Sequence, residues 1–261
     1  MKLAKKVYLG LLLIFMYAPI VVLIVFSFNA SRSRGYWGGF TLDWYIELFN
    51  DRKIMKALYN TLLIAFLSSV FATIIGTLAS IGINNMKKRT RKIVMAITNI
   101  PVLNPDIVTG VALMLLFITV FRVFNFGELG FGTLLISHIT FNIPFVILSV
   151  LPKLRGLDNN LYEAALDLGA SPVYGFFKVV MPEIMPGIIT GFMLALTLSI
   201  DDFVISFFTT GAGVSTLSVT IFAMARRGVN PKINALSTLM FIAVIALLYV
   251  INKRDSKQLQ E

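Results

Sequence analysis

Three carboxylates stand where a carboxylate is costly. Asp201 and Asp202 interrupt the apolar run 187–210, and Asp106 follows Pro101, Asn104 and Pro105 within the apolar region 93–123. Ionisable groups at membrane depth face the protein interior or a watery cavity, and they mark ion or substrate routes. Carboxylates along such a route suit a cation, and apolar or aromatic walls suit a methylene chain between amines. On an unbroken helix Ser199, Asp202, Ser206 and Thr209 fall at i, i+3, i+7 and i+10. That spacing predicts one polar stripe facing a pathway, with Asp202 as its cation contact. Asp201 projects about 100° away, on the face of Thr197, Ile205 and Phe208, and is expected in a structural pairing with Arg226 or Arg227.

Two readings of Asp106 stand. Non-helical backbone at membrane depth must line protein or a cavity, and interrupted spans point to substrate routes. Alternatively, Asn104 as N-cap, Pro105 at N1 and Asp106 in the first turn make an ordinary helix start. His138 and Asn142, one turn apart before Pro144, are expected to hydrogen-bond between helices. With one histidine, no cysteine and no paired acids in a soluble pocket, neither a catalytic constellation nor a metal site is expected.

The elements that position these groups are membrane spans. The 261 residues are 57% hydrophobic and 14% charged, against about a quarter charged in a soluble domain, so a soluble globule is excluded. Runs at 7–28, 57–83, 132–152 and 235–252 are nearly free of charge, and each can cross a hydrocarbon core of ~30 Å. With 187–210 and 93–123, broken near 101–106, they predict six transmembrane helices in a single all-α integral membrane domain. The run 7–28 has the basic start of a signal peptide (Lys2, Lys5, Lys6). Its apolar stretch is too long and no A-x-A site follows, so a retained first helix is expected. The net charge of +10 could serve a nucleic acid, but basic loops against an anionic cytoplasmic leaflet account for it.

Placing the N-terminus inside puts most Lys and Arg on the cytoplasmic side, including the densest run, Lys87, Lys88, Arg89, Arg91 and Lys92. Both termini are therefore expected in the cytoplasm, and Arg34 falls in the first outer loop. That loop, 29–56, carries Trp37, Trp44 and Tyr45, which suit either the membrane interface or a docking partner.

The loop 153–186 lies on the cytoplasmic side. Glu163, Ala164, Ala165, Leu166, Asp167, Leu168 and Gly169 open a short helix, with Asn159 or Asn160 as N-cap and Glu163 near its positive end. Gly169 ends it. Ser171-Pro172 starts a second piece whose apolar face runs through Phe176, Phe177 and Val180 to Pro182. A helix–turn–helix between two spans suits insertion into a groove of another protein.

Glu163-Ala164-Ala165, three residues, Gly169, nine residues and then Val179-Val180-Met181-Pro182 resembles the EAA motif of MetI-like ABC-importer permeases. Val179 and Met181 replace the family's isoleucine and leucine conservatively. The resemblance implies that Glu163, Ala164, Ala165, Gly169 and Pro182 form the coupling element that docks on the ATPase subunit. The stretches Ser199 to Phe208 and Gly228 to Thr238 are similar to those of spermidine/putrescine ABC permeases of the PotC type, and the similarity extends along the chain. It implies the MetI-like six-helix fold, a homologous second permease, two ATPase subunits and an extracytoplasmic polyamine-binding protein. ATP and magnesium then belong to the partner ATPase, because no G-x-x-x-x-G-K-[ST] loop occurs here. Ferric ion or an amino acid is the alternative substrate of the same class. A stand-alone ion-coupled transporter would need internal repeats, which the halves do not show.

Overall fold

Residues 2–32, 35–125, 127–228 and 231–258 are described by a computed structural model of the chain. Arg34, and Val229 and Asn230 in the second family-like stretch, lie outside the described residues, as do the side chains of Lys2, Lys253, Arg254 and Lys257. Among the described residues the regular secondary structure is helical, with one isolated bridge between Asn29 and Phe40. The chain divides into two compact units, Ala57–Val219 and Met1–Lys56 with Thr220–Glu261.

The terminal unit contains α1 (Lys2–Phe26), α2 (Asp43–Asn50), the first turn of α3 (Arg52–Asn84), the end of α11 (Leu217–Arg226) and α12 (Pro231–Gln258). The loop after α1 is tied around Asn29. Its side chain accepts from the backbone of Ser31 and Gly38, at 3.2 and 2.7 Å, and donates to the Tyr36 carbonyl at 2.9 Å. The Trp44 indole donates to the Asn29 carbonyl at 2.7 Å. Trp44 is therefore a buried anchor of this loop, whereas Trp37 is the exposed aromatic. Lys232 pairs with Glu47 at 3.0 Å.

The central unit holds the rest of α3, then α4 (Lys88–Leu103), α5 (Asp106–Phe124), α6 (Phe131–Gly156), α7 (Asn159–Asp167), α8 (Pro172–Gly175), α9 (Met181–Asp201), α10 (Val204–Thr209) and the start of α11. Five described helices are long and apolar enough to cross a membrane: Lys5–Phe26, Arg52–Asn84, Asp106–Phe124, Phe131–Gly156 and Pro172–Asp201. The sixth expected run, 235–252, is helical within α12. The break expected near 101–106 is present, and three features differ from expectation. The third region is two helices, α4 and α5, parted at Asn104–Pro105, and only α5 has the length and composition of a span. The fifth region is not one helix, because α9 ends at Asp201 and α10 begins at Val204. The segment between the two long helices is shorter than 153–186, because α6 runs to Gly156 and the next long helix begins at Pro172.

The spine of this unit is the α6–α9 contact. Ala72, Val146, Val150, Leu154, Val180, Ile184 and Ala195 form its buried core. Lipid offers no hydrophobic drive between helices, so close packing through small residues must hold them. Gly187 and Gly191, spaced as G-x-x-x-G, supply it. A Cβ on Gly187 would stand 2.8 Å from the Ser149 carbonyl oxygen, and one on Gly191 would stand 3.2 Å from the Val146 Cα. Both neighbours are backbone, so the helices would have to part. Gly187→Val is expected to lower the thermal unfolding midpoint of the detergent-purified protein, with a cost of about 1–3 kcal/mol from overpacking. Gly10→Ala, which meets nothing within 4 Å, is expected not to lower that midpoint.

Candidate functional site

Two constellations carry the polar groups singled out above. The first is the hairpin between α6 and α9. Asp158 rather than Asn159 or Asn160 caps α7, its carboxylate accepting from the Asn160 amide at 3.0 Å. An ionised cap is favoured there because it also faces the positive end of the helix. At the other end Gly169 adopts φ +87°, its amide donates to the Leu166 carbonyl at 2.9 Å, and the Ala170 amide donates to Ala165 at 3.1 Å. This paired closure requires a left-handed residue after the helix, which a side chain disfavours.

Ser171 then caps the next helix, accepting from Tyr174 at 3.3 Å, with Pro172 at its first position. The second piece does not stop at Pro182. It continues to Asp201, passing through one wide turn at Phe176–Val180 in which the Met181 amide donates to the Phe176 carbonyl five residues back. The wide turn ends two residues before Pro182, which has no amide to donate to the ladder.

Glu163 and Ala164 are exposed and Ala165 is half-buried. Glu163 lines a cavity of about 290 Å³ together with Asn84, Asn85, Leu157, Tyr162 and Phe176. The tip of the hairpin is apolar and uncovered: Leu168 is 90% exposed, and Leu161, Val173, Tyr174 and Phe177 are exposed beside it. An exposed apolar patch of this kind marks an interaction surface.

The second constellation lies at the two helix breaks. Asp202 is extended (φ −62°, ψ 127°). Its carboxylate accepts from the Ile205 amide at 3.1 Å and the Ser206 amide at 2.7 Å, capping α10. The His138 Nε2 lies 3.5 Å from the Asp202 Oδ2 and 3.0 Å from the Ser206 Oγ. One turn along α6, Asn142 donates to the Ser199 Oγ at 2.7 Å, and Ser199 meets Ser68 of α3 at 3.0 Å. Thr133 donates to the Thr209 carbonyl at 2.8 Å. His138 and Asn142 thus join helices, in the role their spacing predicted.

The predicted stripe is corrected by this geometry. The helix breaks at Asp202, so Ser199 and Ser206 do not share one open face with it. Both serines are buried against α6 and hydrogen-bonded there. Asp202, with its side chain 8% exposed, has the structural role expected of Asp201. Asp201 is exposed and ends α9, at the negative pole of the helix, where a carboxylate is disfavoured and a cation is welcome. Asp106 is also exposed and is the first residue of α5, with Pro105 rather than Asn104 at the cap. Asp106, Asp201 and Asp202 line one cavity of about 290 Å³ with Phe141, Thr197 and Phe203. Sequence reasoning missed Ser68; the seven-residue spacing from Thr61, on one face of a greasy helix, was its signal.

The family described as "binding-protein-dependent transport system inner membrane component" matches residues 72–253, which include the hairpin and both helix breaks. The chain belongs to this family. Two similar members come from Escherichia coli (strain K12). The chain is 38% identical to the spermidine/putrescine transport system permease protein PotC over 233 residues, 89% of this chain and 86% of PotC. It is 39% identical to the putrescine transport system permease protein PotI over 232 residues, 88% of this chain and 83% of PotI. A chain from the crystal structure of a bacterial ABC transporter involved in the import of the acidic polysaccharide alginate superposes with TM-score 0.74. That match covers 98% of this chain and 96% of the other at 18% identity, and it shows the shared fold. The protein is thus an inner membrane component of a transport system with the permease fold that the EAA-like motif implied.

Asp202→Ala removes both carboxylate oxygens that accept from the backbone amides of α10. It is expected to destabilise the purified protein by about 1–2 kcal/mol, measured as a lower unfolding midpoint in detergent. Asp201→Ala is expected to leave the midpoint within error, and a reversal of the two effects would return Asp201 to the structural role.

Proposed function

We propose that this chain is one of two permease subunits of an ATP-driven ABC importer that carries polyamines across the bacterial inner membrane. The observation that carries this reading is the cavity at the two helix breaks. Asp106 and Asp201 reach it as exposed carboxylates, and Phe141 and Phe203 stand beside them. Separated carboxylates suit separated ammonium groups, and aromatic faces attract a cation and cover its methylene chain. The PotC and PotI names support the same substrate class. Asp202 contributes to the charge of the cavity while its oxygens hold α10, and Ser199 and Ser206 keep the wall in shape.

The remaining parts are those that the family resemblance implies. Without a phosphate-cradling loop it takes its energy from two ATPase subunits, which bind ATP and magnesium. The hairpin of Glu163, Ala164, Ala165 and Gly169, continued through Pro182, docks on one of them by its apolar tip. A homologous second permease completes the route, and an extracytoplasmic polyamine-binding protein delivers the substrate. Both termini lie in the cytoplasm, as the basic run Lys87–Lys92 favours.

Uptake of labelled spermidine and putrescine by the reconstituted complex tests this function. Asp201→Asn is expected to reduce uptake about tenfold, with ATPase subunits still bound and the unfolding midpoint unchanged; unaltered uptake kinetics would remove it from the route. Loss of one charge contact at a partly desolvated site accounts for that size. Gly169→Pro is expected to abolish both uptake and substrate-stimulated ATP hydrolysis at normal expression, and full activity in that variant would sink the coupling assignment.

A further inference from the structure

Helix α4 carries its charge at the wrong end. Its cap and first residues are Lys87, Lys88, Arg89, Arg91 and Lys92, and no acid lies in its first turn. No carboxylate occurs anywhere between Asp51 and Asp106. Five cations therefore crowd the positive pole of a helix, where each is disfavoured. Among the described residues none of the five makes an ion pair. Among the described residues no carboxylate lies within ion-pair distance of them, so an anion from outside is favoured.

The same helix leaves an apolar face uncovered. Val94 and Met95 pack on Ile83, Ile147 and Leu151 of the core. Ile93, Ile97 and Ile100 are 59%, 60% and 51% exposed. With Arg89 they recur at four, four and three residues, so one face reads as a cationic head followed by an aliphatic track. Arg89 to Ile100 covers about 16 Å at 1.5 Å per residue. One leaflet of a hydrocarbon core of ~30 Å is about 15 Å deep. The track is thus about as long as one leaflet is deep and ends just before the break at Asn104–Pro105.

We infer that this face of α4 is a binding site for an anionic phospholipid of the cytoplasmic leaflet, with the headgroup phosphate at Arg89 and Lys92 and an acyl chain along Ile93, Ile97 and Ile100. A free phosphate matches only the head, and a zwitterionic lipid lacks the net charge. The side of the membrane rests on the cytoplasmic placement proposed above; the chemistry of the site does not.

Native mass spectrometry of the purified complex, titrated with equal amounts of phosphatidylglycerol and phosphatidylcholine, tests the inference. The wild type is expected to retain phosphatidylglycerol preferentially. R89Q/K92Q is expected to weaken its retention by about 30-fold, from two lost surface charges. R89K/K92R is expected to keep the preference, and R52Q/K53Q, at the far end of α3, is expected to leave it unchanged. I93S/I97S is expected to weaken lipid retention with all five cations intact. Equal retention of the two lipids, an R89Q/K92Q complex indistinguishable from wild type, or displacement of the lipid by millimolar inorganic phosphate would each overturn the site. The chain has no cysteine, so N85C labelled by an impermeant maleimide in intact cells reads the orientation separately. Labelling from outside would overturn the cytoplasmic placement and leave lipid retention as measured.

Discussion

Hydrocarbon gives a peptide group nothing to bond to, so an amide freed where a helix stops must find its acceptor inside the protein. The central unit stops two helices in the middle of apolar sequence, at Asn104–Pro105 and at Asp202–Phe203. At the first break proline has no amide to satisfy, and the Val108 amide already bonds the Pro105 carbonyl at 2.9 Å. At the second, one carboxylate takes two amides, and a buried histidine stands 3.5 Å from it. Unsatisfied, those amides would cost several kcal/mol each. Much of the buried polar chemistry of the unit, from Ser68 across Asn142 and Ser199 to His138 and Ser206, gathers beside this second break.

That constraint separates two adjacent acids. Asp202 is turned inward and engaged by backbone, while Asp201, one peptide earlier, closes α9 with its carboxylate exposed. Adjacent residues with identical side chains acquire opposite tasks because the chain changes from helical to extended between them. The cavity wall and the fold share a border that is one residue wide.

Most of the architecture was legible in the sequence, because apolar runs of span length have few alternatives and G-x-x-x-G at Gly187 and Gly191 announces a close contact. The hairpin was legible from the spacing of Glu163 and Gly169. The inversion of Asp201 and Asp202 was not. No proline or glycine marks the break between α9 and α10, and the groups that stabilise it, His138 above all, lie far away in sequence. The polar stripe was drawn on an unbroken helix, and its periodicity lost meaning once the helix ended. The wide turn at Phe176–Val180 was hidden similarly, since Pro182 reads as a terminus although the helix continues to Asp201. The cap of α7 moved by one residue only, to the Asp158 carboxylate.

The helix from Pro172 to Asp201 joins the hairpin to the cavity without an intervening loop. Its 30 residues make a rod of about 45 Å, longer than the hydrocarbon core is thick. A rod transmits axial thrust and tilt from one end to the other, whereas a loop would absorb them. The wide turn at Phe176–Val180 lies near one end of this rod, and Asp201 closes the other. A tilt imposed at the hairpin end would carry the other end, and the carboxylate of Asp201, sideways.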